Sequence, residues 1–179
     1  MKQVVLSKWA VVLLVVICAN SPLYATCYRE SCVVGPPNSC EQLLFDTGFD
    51  EPSCHSYWDL SGSVEIVDTG FDAYGRLYGS GSIAQEVFVP TGHGTHNVNV
   101  TLDVVPGTLS GTEKVYVEII GSGISQRVAT FSSFTADGSY HFSIGNYGGS
   151  LVSLRFRYVP GFSPGNTEFR ILHTNYWAY

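Results

Sequence analysis

From Leu43 onward the chain alternates apolar and polar residues with a period of two, and Gly, Pro, Asn or Asp interrupts the alternation about every ten residues. Val98, Val100, Leu102 and Val104 oppose Asn97, Asn99, Thr101 and Asp103; Val115, Val117 and Ile119 oppose Tyr116 and Glu118; Val152, Leu154, Phe156 and Tyr158 oppose Ser153, Arg155 and Arg157. A period of two puts one set against a core and the other in water. The pattern predicts strands near Leu43–Asp46, Tyr57–Leu60, Ser63–Asp68, Arg76–Gly79, Ile83–Val89, His96–Val105, Lys114–Ile120, Ser125–Phe131, Tyr140–Ile144, Leu151–Tyr158 and Glu168–Tyr179.

Many short strands and no helical stripe predict an all-β fold, an antiparallel β-sandwich or barrel. Thr91–Thr95, Pro106-Gly107 and Asn146–Ser150 carry turn residues and are expected as loops. No internal repeat organises the chain.

The N-terminus reads differently. Lys2 and Lys8 precede an apolar run, Trp9–Ala19, and small or polar residues follow up to Ala25. That order is a signal peptide, expected over 1–25, and the run is too short for the roughly 20 residues of a membrane span. The reading places the protein outside the cytoplasm, extracellular or periplasmic, with no membrane insertion. It leaves 154 of the 179 residues, one domain's worth. Without Lys2 and Lys8, seven basic residues stand against fifteen acidic ones, a net charge of −8. Such a chain lacks the Lys/Arg clusters that nucleic acid and anionic membranes reward.

Cys27, Cys32, Cys40 and Cys54 remain after cleavage. An even number in an exported chain predicts disulfides, with three pairings open. Their spacings of four, seven and thirteen residues lack the close Cys-x-x-Cys pairs of zinc sites. They are expected to tie an irregular arm, 26–42, to a sandwich domain, 43–179.

The order of features resembles a known family. Leu43–Pro52 with Tyr57-Trp58, then Ser82-Ile83-Ala84-Gln85-Glu86-Val87, then Val98–Gly107 and Phe169–Tyr176, is similar to the landmarks of jelly-roll carbohydrate-binding modules with a galactose-binding-domain-like fold. The resemblance implies a two-sheet antiparallel jelly roll that binds glycans without catalysis and often holds a structural calcium. It also implies that Trp58 is a core plug. Where many relatives carry an Asp pair in the closing strand, this chain has Thr174-Asn175.

Candidate chemistry lies on the outward positions. Asn97, Asn99, Asp103, Tyr116, Glu118, Arg155 and Arg157 form a polar set suited to sugar hydroxyls, with Tyr116 or Tyr147 as a stacking ring. The competing reading is a solvated sheet face with weak ion pairs. Asp46, Asp50 and Glu51 are the candidate calcium ligands. Glu86, Asp103 and Glu118 are the carboxylates a glycan hydrolase or lyase would need. The expected function is a secreted, non-catalytic glycan-binding protein. The alternatives are a structural or adhesive β-sandwich that binds another protein and, third, a small glycan-active enzyme.

Overall fold

The computed structural model describes residues 41–107, 112–161 and 166–179. The expected signal segment, most of the arm, and Cys27, Cys32 and Cys40 lie outside them. Cys54 is buried and disulfide-bonded.

Among the described residues nine antiparallel strands make the fold: β1 Glu41–Gln42, β2 Asp59–Asp68, β3 Ala73–Phe88, β4 His96–Val105, β5 Lys114–Gly121, β6 Ile124–Ser132, β7 Gly138–Ile144, β8 Leu151–Val159 and β9 Glu168–Ala178. The pairing order is β6-β5-β8-β3-β9-β4-β7, with β2 on β3 and β1 on β9. Two layers result because β3 serves both. Its first half, Gly75–Leu77, pairs with β9, and its second half, Gly81–Phe88, pairs with β8. Layer I is therefore β7-β4-β9-β3, and layer II is β6-β5-β8-β3. At the far edges Phe131 of β6 meets Tyr140 of β7, ring centroids 5.0 Å apart, and the sandwich nearly closes.

The alternation expected for β4, β5 and β8 is present, with the apolar set of each buried. Each fully buried large apolar side chain contributes about 1.5–3 kcal/mol, so this core dominates stability. Trp58 is 4% exposed and packs on Phe49 with centroids 4.8 Å apart, as a core plug should.

Two expectations need correction. The separate strands expected at Tyr57–Leu60 and Ser63–Asp68, and at Arg76–Gly79 and Ile83–Val89, are single long strands, β2 and β3. Their glycines mark a crossing between layers. The β2–β3 register shifts between Gly62 and Val64, and Gly62 has φ +82°. A Cβ on Gly81 would lie 2.2 Å from the Ser61 carbonyl oxygen, so only glycine lets the two backbones pass this closely.

The strand expected at Leu43–Asp46 is a loop. Leu43 still donates its amide to the Tyr176 carbonyl at 2.9 Å, and at Leu44 and Phe45 buried glutamine side chains take the backbone groups. Gln42 Oε1 accepts from the Leu44 amide at 3.1 Å and the Tyr176 amide at 2.9 Å. Gln85 accepts from the Phe45 amide at 2.7 Å and donates to the Phe45 carbonyl at 3.0 Å. Beyond Leu43 two side chains thus stand in for a ladder, which meets the requirement that buried polar groups be paired. A short 3-10 helix, Pro52–Tyr57, then leads into β2.

Candidate functional site

The outward polar set divides between the layers. Asn97, Asn99 and Asp103 lie on β4 in layer I, while Tyr116, Glu118, Arg155 and Arg157 lie on β5 and β8 in layer II. Sequence reasoning joined them as one face, and the structure puts the core between them. Glu86, Glu118 and Asp103 are likewise not assembled: Asp103 is on the other layer, and β8 separates Glu86 on β3 from Glu118 on β5.

Layer I carries a cleft of about 540 Å³ on its outer face. Gly48 and Asp50 line one rim, Phe71 and Asp72 the other, and Tyr74, Asp103, Arg170 and Leu172 line the rest. Arg170 is fixed on three sides. Its Nε donates to Glu168 at 2.5 Å, its Nη1 donates to Asp103 at 3.3 Å, and its guanidinium lies 5.1 Å from the Tyr74 ring centroid. Glu168 also accepts from Arg76 at 2.7 Å, and Arg76 donates to Glu65 at 2.7 Å. An alternating chain of charges therefore crosses β2, β3, β9 and β4. Burial opposes ionisation of Glu168, but the hydrogen bonds from Arg170 and Arg76 outweigh it and hold the carboxyl below its usual range.

The rim is built by a tight hairpin. Asp68 Oδ1 accepts from the Gly70 amide at 2.8 Å, Gly70 adopts φ +77°, and Phe71 is left 97% exposed at the tip. Asn97 and Asn99 lie farther along β4. Asn97 is opposite Trp177, and Asn99 Oδ1 is bonded to His141 Nδ1 at 2.5 Å.

Layer II is arranged differently. Glu118, 6% exposed, accepts from Arg155 Nη2 and Arg157 Nη2, both at 2.7 Å. Burial works against its charge, and the two arginines overcome it, so its carboxyl also lies below the usual range. The Tyr116 ring has the Arg127 guanidinium 3.6 Å from its centroid and that of Arg157 at 5.0 Å. Arg127 occupies the face a sugar would use. Tyr147 packs against the core, and its hydroxyl donates to Gln126.

The carboxylates read as calcium ligands take separate roles. The Asp46 side chain is 0% exposed, its Oδ1 accepts from the Glu51 amide at 3.1 Å, and its Oδ2 is 3.7 Å from His55 Nε2. Burial raises its pKa. Asp50 lines the cleft, and Glu51 accepts from Ser53 at 2.9 Å. Among the described residues no three His, Cys, Asp or Glu side chains converge as a group.

Phe71, Tyr74 and Arg170 were not singled out from the sequence, although a signal for the rim exists. Asp-Thr-Gly-Phe-Asp occurs twice, at Asp46–Asp50 and at Asp68–Asp72, and both copies border the cleft. The first buries its phenylalanine, Phe49, and the second exposes Phe71.

No protein-family model and no curated protein sequence matches the chain. Solved structures do. The carbohydrate-binding module TmCBM61, solved in complex with β-1,4-galactotriose, superposes with a TM-score of 0.55 at 15% identity, over 78% of this chain and 99% of that one. The xylan-binding module CBM15 gives 0.46 at 11% identity, over 68% and 88%. The CBM22-1 xylan-binding domain from Paenibacillus barcinonensis Xyn10C gives 0.43 at 12%, over 68% and 85%. The first likeness, with the strand order above, establishes the fold: this chain is a jelly-roll β-sandwich, the architecture of that carbohydrate-binding module.

Proposed function

We propose that the chain is a secreted, non-catalytic glycan-binding protein and that its saccharide site is the layer I cleft. The cleft itself carries the reading. It combines apolar faces at Phe71, Tyr74 and Leu172 with the acceptors Asp50, Asp72 and Asp103 and the donor Arg170. Sugars present C–H faces that cover aromatic rings and hydroxyls that donate to carboxylates, so this lining matches a neutral saccharide on both counts. The shared fold of a module holding β-1,4-galactotriose supports it. Secretion rests on the charged, apolar and small-residue order of the first 25 residues.

The non-catalytic part rests on the separation of the carboxylates a hydrolase or lyase would pair: Asp103 lies on the other layer from Glu86 and Glu118, and β8 stands between those two.

The test is affinity electrophoresis of the oxidised protein through gels containing β-1,4-galactan, xylan or glucomannan, each with calcium and with chelator. Retardation that Tyr74→Ala removes, while thermal unfolding is unchanged, is the expected result. Free migration in every gel would transfer the weight to a structural or protein-binding role.

A further inference from the structure

Six basic residues lie in the described part of an acidic chain, and four of them share the outer face of three adjacent strands. Lys114 is on β5, Arg127 on β6, and Arg155 and Arg157 on β8. Glu118 is the single carboxylate those three strands contain. The guanidinium groups crowd together: Arg127 and Arg157 share the Tyr116 ring, at 3.6 and 5.0 Å, while Arg155 and Arg157 share Glu118. Pairing in register aligns Arg155, Glu118 and Arg127 in one row across the sheet, with Arg157 and Tyr116 in the next.

One carboxylate leaves this group under-neutralised. Glu118 directs the Nε and Nη2 atoms of Arg155 and Arg157 toward itself, which orients both guanidinium planes. Arg127 is exposed and, among the described residues, has no carboxylate partner. A hollow of about 320 Å³ bordered by Lys114, Tyr116 and Pro160 adjoins the cluster. Ordered, excess guanidinium groups are what recognition of a carboxylate or sulfate requires.

We propose that the outer face of layer II is a second saccharide site that selects anionic substituents, the carboxylates or sulfates of a sparsely charged polysaccharide. The net charge, −6 for the full sequence and −8 without Lys2 and Lys8, sets the sparseness. A densely charged polyanion would be repelled by the rest of the molecule, whereas an isolated anionic group on a neutral polymer meets only the island. The site is separate from the cleft, whose carboxylates disfavour anions.

The experiment uses the oxidised chain in gels containing glucuronoxylan, the same polymer with its carboxyl groups reduced to alcohols, lightly sulfated dextran, or neutral β-1,4-galactan. Stronger retention by native than by carboxyl-reduced glucuronoxylan is expected. The double variant Lys114→Gln/Arg127→Gln, which leaves the Glu118 pairs intact, should weaken anionic retention about tenfold, the scale of one charge-assisted hydrogen bond, and leave galactan retention unchanged. A preference for sulfated dextran over glucuronoxylan, lost in the variant, supports the site and names sulfate as its group. Equal retention of native and reduced polymer with none by sulfated dextran, or an unaffected double variant, overturns the proposal. Loss of galactan retention alone would count against the cleft and leave this site standing.

Discussion

The guanidinium carbon of Arg127 sits 3.6 Å from the centroid of the Tyr116 ring, on a strand paired directly with that of the tyrosine. The contact joins the exposed β6 to the next strand inward and keeps in a fixed place a cation that has no carboxylate partner among the described residues. Exposed cation–π contacts contribute about 0.5–1 kcal/mol. Arg127→Gln is therefore expected to lower unfolding free energy by no more than about 1 kcal/mol in urea titrations, with the denaturant slope unchanged. A larger loss would mean that the arginine holds the sheet together and is not free to serve a ligand.

Phe71 protrudes from the β2–β3 hairpin, and its removal should separate binding from folding. Phe71→Ala should shift stability by less than about 0.5 kcal/mol, because an exposed tip residue has little packing to lose. Retention in the best neutral glycan should fall several-fold, in line with the roughly 0.5–1.5 kcal/mol of an aromatic contact. Titration calorimetry with an oligosaccharide reads both enthalpy and affinity. Unchanged affinity would remove the hairpin tip from the site.

Acid should unfold the protein in two stages. His96 is wholly buried, its Nδ1 lies 3.2 Å from the Tyr176 hydroxyl and its Nε2 has no hydrogen-bond partner among the described residues. Burial first, and then the charge of His93, hold its pKa below the ordinary 6.5; Tyr176 also faces it. A group with a lowered folded pKa takes up protons more readily when unfolded. Stability from neutral His96 is thus complete above about pH 6.5 and is lost as pH falls below that. Glu118 and Glu168 have lowered pKa values too, so their contributions are complete above the ordinary carboxylate range, begin to be lost as pH falls into it and are gone once pH passes below their folded pKa values. Urea midpoints from pH 8 to pH 3 check this. His96→Gln should flatten the upper stage and leave the lower one.

Gln85→Leu should cost about 2–4 kcal/mol, since it removes both hydrogen bonds that the buried Gln85 side chain makes with the Phe45 backbone. The loop it anchors continues to Gly48 and Asp50 at the cleft rim. Glycan affinity should fall along with stability, and hydrogen exchange at Phe45 should rise. Slow exchange at that amide would show that another group takes over.

Strand positions were legible because burial on one side imposes the two-residue period directly, as at Val98–Val104. The destination of the outward residues was not. Asn99 and Arg155 both alternate with core residues, and alternation marks a side chain as outward without saying from which layer. That depends on β3 passing between layers at Gly81, a long-range consequence of two backbones fitting together. The cleft was hidden for a related reason: its walls come from segments that meet only in three dimensions. The buried glutamines inverted the usual signal, since Gln42 and Gln85 stand in for backbone, and a polar residue inside looks like one outside until its partners are known.

The β9 strand follows every other strand in sequence yet lies in the middle of layer I, between β3 and β4 and beside β1. Contacts such as Glu41 with Ala178 join positions far apart in the chain, and closing such loops slows folding. Until β9 arrives, β3 and β4 each wait with an open flank, the state in which strands pair with the wrong neighbour. Order of synthesis and order of assembly are thus opposed within layer I: β3 and β4 are made early, and only the eleven-residue β9, inserted between them, joins them into one sheet.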